Sequence, residues 1–181
     1  MLLPTEISGV YLVRFDGFED SRGTFRRLLD SQQLAQWGVN LVTVHVNIST
    51  ISKAGTIKGF HFQKAPLGET KLITCTSGRV LDVALDVRLE SSTFGKHVAY
   101  ELVDSQPWSV LIPEGVAHAV QSLSAGSCML YMHSAPYSRQ HEMGINPLDP
   151  ALNIQWPLEP LGLSERDRNL PSLDSVTSSV T

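Results

Sequence analysis

The chain has 181 residues, 42% hydrophobic and 18% charged, which suits one globular domain with enough length to bury a core. A net charge of −4 with no Lys/Arg block argues against nucleic acid as a partner. The N-terminus lacks a basic, apolar leader, and no apolar run reaches the ~20 residues that span a bilayer. The expectation is a soluble, cytoplasmic protein with no membrane partner.

In chain order, the first regular element is a short helix over Asp30–Trp37, capped by Asp30 and stopped by Gly38. From Leu41 to Thr50 apolar and polar residues alternate, and they do so again from Lys71 to Thr76. Between them lies Lys58-Gly-Phe-His-Phe-Gln63, assigned to a strand beside the one that carries Pro113-Glu-Gly-Val-Ala-His118. Further strands are expected over Val80–Val87, His97–Val103, Trp108–Ile112 and Ser127–Met132. Ser77-Gly78-Arg79, Asp104–Pro107 and Ser124–Gly126 read as the turns between them. A second helical turn begins at Ser164, and the residues from Ser175 onward have little to bury. This pattern predicts an all-β sandwich or jelly-roll barrel with a few short peripheral helices. Residues 1–174 form a single domain in this reading, followed by a loose tail over 175–181. Cys75 and Cys128 lack CxxC spacing and read as buried, reduced thiols.

The chemistry concentrates around His61. Gly55, His61 and the later Pro113-x-Gly115-x-x-His118 follow the two halves of a cupin-type barrel motif. Where a metal cupin carries a second histidine this chain has Gln63, and the nearest acid, Glu69, comes late. His61 and His118 alone fall short of the three protein ligands usual at a catalytic metal. An imidazole without a metal is a base with a pKa near working pH. Lys58, Lys71 and His118 are expected on the same face as His61. His97, His133 and His141 are left as surface or structural residues.

A longer series of residues carries a family resemblance. It runs through Phe18-Glu-Asp-Ser-Arg-Gly-Thr-Phe25, Asn47-x-Ser49, Gly59–Gln63, Lys71-Leu72, Gly78–Val83, Asp86-Val-Arg88 and Ser92–Gly95. It continues through Ile112-Pro-x-Gly115-x-Ala-His118, Tyr131, Tyr137, Glu142, Asp149-Pro150, Trp156-Pro157 and Leu163–Asp167. In this ordered series the chain resembles the deoxythymidine-diphosphate 4-dehydrorhamnose 3,5-epimerases over nearly its whole length. No single tripeptide is specific; the order and spacing are.

The resemblance implies a cupin-type jelly roll that inverts carbons beside the C4 ketone of a nucleotide-diphosphate 4-keto-6-deoxy sugar. It implies that His61 is the base, held by Asp167, that Tyr131 is the acid, and that Lys71 and His118 face the enolate oxygen. Arg22, Lys58 and Arg166 correspond to diphosphate contacts, and Tyr137 to the residue that stacks on the nucleobase. His45, Asn47, Gln63 and Glu142 match further ligand-binding positions. No metal and no cofactor are implied. The family also implies a homodimer with exchanged N-terminal strands, which places Arg27 beside the neighbour's site.

Five positions depart from the pattern: Lys58 replaces an arginine, Arg27 a glutamate, His45 a glutamine, Ala119 a glycine and Glu69 a glutamine. Lys58 forgoes the planar fork that grips phosphate at two points. The departures spare the proton-transfer set and gather where nucleotide and sugar are held. A cytidine-diphosphate sugar, or inversion at C3 or C5 alone, fits as well as double inversion of the thymidine compound. A metal cupin and a non-catalytic sugar-binding module remain as alternatives of other classes.

Overall fold

The computed structural model describes residues 1–178 and builds the chain from two packed antiparallel sheets and a separate two-stranded hairpin. The first strands are β1 (Leu2–Pro4), β2 (Tyr11–Val13), and the hairpin pair β3 (Gly17–Asp20) and β4 (Gly23–Arg26). Helix α1 (Ser31–Gln36) follows, its N-terminus capped as expected by Asp30, whose carboxylate accepts from Gln33 N. Then come β5 (His45–Ile51), β6 (Ile57–Gln63), β7 (Lys71–Ser77), β8 (Arg79–Asp86) and β9 (His97–Val103). The last strands are β10 (Ser109–Ile112), β11 (Val116–Ser122), β12 (Ser127–His133) and β13 (Glu142–Gly144). Helices α2 (Glu165–Arg168) and α3 (Leu173–Ser178) close the chain.

One sheet has the order β1-β2-β10-β7-β12-β5 and the other β13-β6-β11-β8-β9. Ile73, Cys75, Val110, Ile112 and Met129 from the first sheet meet Val80, Ala84, Leu102, Val116 and Val120 from the second in the central core. The outer face of the second sheet is buried as well. There Phe60, Phe62, Val83 and Ala117 pack beneath Ile145, Leu152, Leu173 and Val176. Covering on both faces explains why β11 is buried at every residue and shows no alternation. The loose tail expected from Ser175 is therefore a helix at its start: Leu173 and Val176 seat α3 on the sheet. The rest of that expected tail, residues 179–181, lies outside the described residues. Cys75 and Cys128 are free thiols.

Candidate active site

The site forms where β6 and β11 pair, with His61 directly opposite His118. Lys58 and His61 are three residues apart, an odd spacing that sends side chains to opposite faces of a regular strand. Here the register slips. Val120 lies opposite Lys58, so three steps along β6 match two along β11, and Lys58 and His61 open into one cavity. Gly59 permits this irregularity. Its φ is +113°, and a Cβ there would stand 2.6 Å from Ala119 Cα.

Each histidine is held by a carboxylate. His61 Nε2 lies 2.9 Å from Asp167 Oδ1, and His118 Nε2 lies 2.7 Å from Asp82 Oδ2. Asp167 is delivered by α2, where Ser164 caps the helix by accepting from Asp167 N. Its second oxygen accepts from Gly59 N, at 3.4 Å, tying α2 to β6. Burial alone would raise the Asp167 pKa; the His61 ring and the other hydrogen bonds outweigh it and hold the carboxyl below its usual range. An ionised Asp167 accepts the Nε2 proton and leaves His61 Nδ1 as the basic atom.

The facing wall comes from the six-stranded sheet. Lys71 on β7 is 5% exposed, and its Nζ donates to His61 O at 3.0 Å and lies 3.1 Å from Glu69 Oε1. Tyr131 on β12 meets His118 edge to face, with centroids 5.8 Å apart. Burial, with Asp82 adding to it, pushes the Tyr131 phenol well above its ordinary pKa, so it keeps its proton at neutral pH. Among the described residues no hydrogen bond to the Tyr131 hydroxyl is formed. His45, Asn47 and Ser49 alternate along β5 into the same cavity, and Ser49 accepts from Lys58 Nζ at 2.9 Å. At the mouth Glu142 accepts from Tyr137 Oη at 2.7 Å and pairs with Arg166 at 2.6 Å. The cavity measures about 660 Å³, within the range of small-molecule sites. Among the described residues no group of three or more His, Cys, Asp or Glu is arranged to hold a metal ion.

Of the residues singled out from sequence, His45, Asn47, Lys58, His61, Lys71, His118, Tyr131, Tyr137, Glu142, Arg166 and Asp167 line this cavity. Gln63 does not, and its assignment to the ligand is corrected. Its amide donates to Leu67 O and Pro136 O and accepts from Ser138 N, so it is buried and serves the loops. Arg22 and Arg27 also stay outside the cavity of their own chain. They lie on and after the exposed β3–β4 hairpin, paired with Asp20 and Asp30. Three further residues belong to the site: Asp82, buried behind His118, and Glu69 and His133, which line the cavity. His133 Nδ1 lies 2.8 Å from Glu69 Oε2, and its ring stacks on Tyr131. Period two alone points to it, since His133 shares a strand face with Tyr131.

A carboxylate-held imidazole, a protonated phenol and a lysine around one cavity are the kinds of group that proton transfer at carbon next to a carbonyl uses. Comparison with known proteins narrows the class. The family model for dTDP-4-dehydrorhamnose 3,5-epimerase matches residues 4–175. The dTDP-4-dehydrorhamnose 3,5-epimerase of Sinorhizobium fredii is 38% identical over 168 residues, covering 92% of this chain and 86% of that one. The 4-keto-6-deoxy sugar epimerase NovW of Streptomyces spheroides superposes with a TM-score of 0.95 at 33% identity, covering 99% of this chain and 90% of that chain. The Legionella pneumophila enzyme, solved with dTDP-4-keto-L-rhamnose, gives 0.93 at 31% identity, covering 99% and 96%. The chain belongs to the dTDP-4-dehydrorhamnose 3,5-epimerase family. It has that family's cupin-like jelly roll, and it is an isomerase of dTDP-linked keto-deoxysugars.

Proposed function

We propose that the chain inverts C3 and C5 of dTDP-4-dehydro-6-deoxyglucose using side chains alone, as a step of deoxysugar biosynthesis. His61 Nδ1 removes the proton beside the C4 ketone, and the electron pair moves onto the ketone oxygen as an enolate. Lys71, with His118 beside it, donates to that oxygen. Tyr131 returns a proton to the opposite face, which inverts the carbon. One observation carries the reading: His61 and Tyr131 enter the same cavity from different sheets, β6 on one side and β12 on the other. A base and an acid on opposite walls suit inversion, whereas a binding module has no need of them.

The roles assigned to the mouth follow its chemistry. Lys58 and Arg166 hold the diphosphate by charge-assisted hydrogen bonds. Tyr137, 61% exposed, stacks on the nucleobase, with Asn47, His45 and Glu142 beside it. The protein works as a homodimer in the cytoplasm. Support for the dimer comes from β5, an edge strand whose outward Val46 and Ile48 are 57% and 68% exposed, and from Phe18 and Phe25 on the exposed hairpin. Crossing of that hairpin to a second copy brings Arg22 and Arg27 to the partner's cavity.

A second reading, inversion at one carbon only or of a cytidine-diphosphate sugar, is favoured by His45 and Glu69. Both depart from the family pattern and both line the cavity. Product NMR after incubation with thymidine- and cytidine-diphosphate 4-keto-6-deoxy sugars separates these readings. Inversion of both carbons of the thymidine compound supports the first, inversion of one carbon or a cytidine preference supports the second, and no inversion of either sugar overturns both. Size measurement in solution tests the dimer; a stable monomer removes Arg22 and Arg27 from the site.

A further inference from the structure

The scheme above leaves one cluster of the six-stranded wall unused. Glu69 stands two residues before Lys71 and approaches it from the loop that enters β7. Its Oε1 lies 3.1 Å from Lys71 Nζ, and its Oε2 lies 2.8 Å from His133 Nδ1. His133 sits opposite Lys71 in the β7–β12 register and opposite His45 in the β5–β12 register. The His133 ring stacks on Tyr131 with centroids 6.1 Å apart and planes at 19°. The Glu69 carboxylate therefore touches the ammonium side of the site directly and the acid side through one ring.

We propose, resting on the epimerase reading, that Glu69 is a positioning residue: bridging Lys71 and His133, it keeps the buried ammonium charged and aimed at the enolate oxygen and fixes the ring that backs Tyr131. A lysine with 5% exposure has lost most of its water, and burial without a counter-charge lowers a lysine's proton affinity by up to ~3–5 pKa units. Glu69 supplies that counter-charge. With N–H groups given to His61 O and Glu69, one ammonium N–H remains for a substrate oxygen. The carboxylate also weakens the field that Lys71 offers the enolate. Sharing its second oxygen with His133 limits that loss, and a lysine without its proton would offer no charge at all. Burial by itself would protonate Glu69; His133 and Lys71 outweigh burial and keep it ionised.

The titratable groups facing Glu69 are Lys71 from β7 and His133 from β12. His45, Lys58, His61, His118, Tyr131, Glu142, Arg166 and Asp167 share the cavity. The test is Glu69→Gln, which keeps the shape, removes the charge and returns the glutamine of the family pattern; the requirement proposed is this chain's own, where one carboxylate serves both Lys71 and His133. Expected are a kcat lowered by about tenfold or more with KM changed far less, and an alkaline limb of the kcat profile moved down by about one pH unit or more. An active wild-type protein whose Glu69→Gln variant keeps the same kcat and the same limb overturns the proposal. A second readout needs no turnover. In protein labelled with 13C-lysine, with the Lys71 signal assigned by Lys71→Arg, that signal titrates at lower pH in Glu69→Gln than in wild type. Equal midpoints overturn the proposal even where the wild type catalyses nothing, an outcome that sinks the epimerase reading separately.

Discussion

Two histidine–carboxylate pairs face each other across the β6–β11 register, and their surroundings differ. The His61 side chain is 32% exposed, whereas that of His118 is 8% exposed. Asp167 arrives from α2, more than a hundred residues along the chain, and both its oxygens are engaged. Asp82 comes from the neighbouring strand β8, opposite Val120 in the register, and its Oδ1 has no hydrogen-bond partner among the described residues. The same pair of residue types thus gives two devices. An imidazole open to the cavity can meet a substrate proton and release it to solvent. One buried beneath Tyr131, with Nε2 against Asp82, is held in a fixed orientation.

Substitutions sharpen that contrast. His61→Asn removes the basic atom and should lower kcat by ~10²–10⁴ in an NMR assay of product, with the fold intact by circular dichroism. Asp167→Asn leaves the base in place but frees its tautomer, so a smaller loss is expected, confined to kcat. His118→Asn should affect stability more than its opposite number. It disturbs the hydrogen bond that a buried carboxylate makes among the described residues, at a cost of about 1–3 kcal/mol in denaturant unfolding. Equal stability loss for His61→Asn and His118→Asn would break the comparison. The smallest effect is on pH. Asp167 has a folded-state pKa below its ordinary 3.8, so its contribution is fully present above that value and is lost as pH falls through the lower one. Acid unfolding curves of wild type and Asp167→Asn should therefore separate near neutral pH and converge below about pH 3.8.

Strands with one covered face were legible in the sequence. The His97–Val103 strand is observed with the expected ends, because its face away from the core meets solvent and its pattern alternates. β11 carried no such signal, since both of its faces are buried, and only its place in a motif put His118 beside His61. The placement of Lys58 beside His61 depended on a bulge that no periodicity predicts. Tail and loop residues fared worst. Val176 reads as part of a polar end until the sheet beneath it is seen, and Gln63 reads as a failed ligand until Ser138 and Pro136 are found around it. His133 is legible from strand parity with Tyr131, two residues before it on β12.

Opposed walls remain the heart of the account, and heavy water separates their contributions. Wild type, His61→Asn and Tyr131→Phe are each incubated in D2O with dTDP-4-dehydro-6-deoxyglucose, and deuterium entry and inversion are read separately by NMR. If His61 takes the proton and Tyr131 returns one from the other face, His61→Asn blocks deuterium entry altogether. Tyr131→Phe then still admits deuterium at the same carbon, without inverting it. Deuterium entry in His61→Asn at the wild-type rate, or full inversion in Tyr131→Phe, would contradict the assignment of base and acid to the two walls.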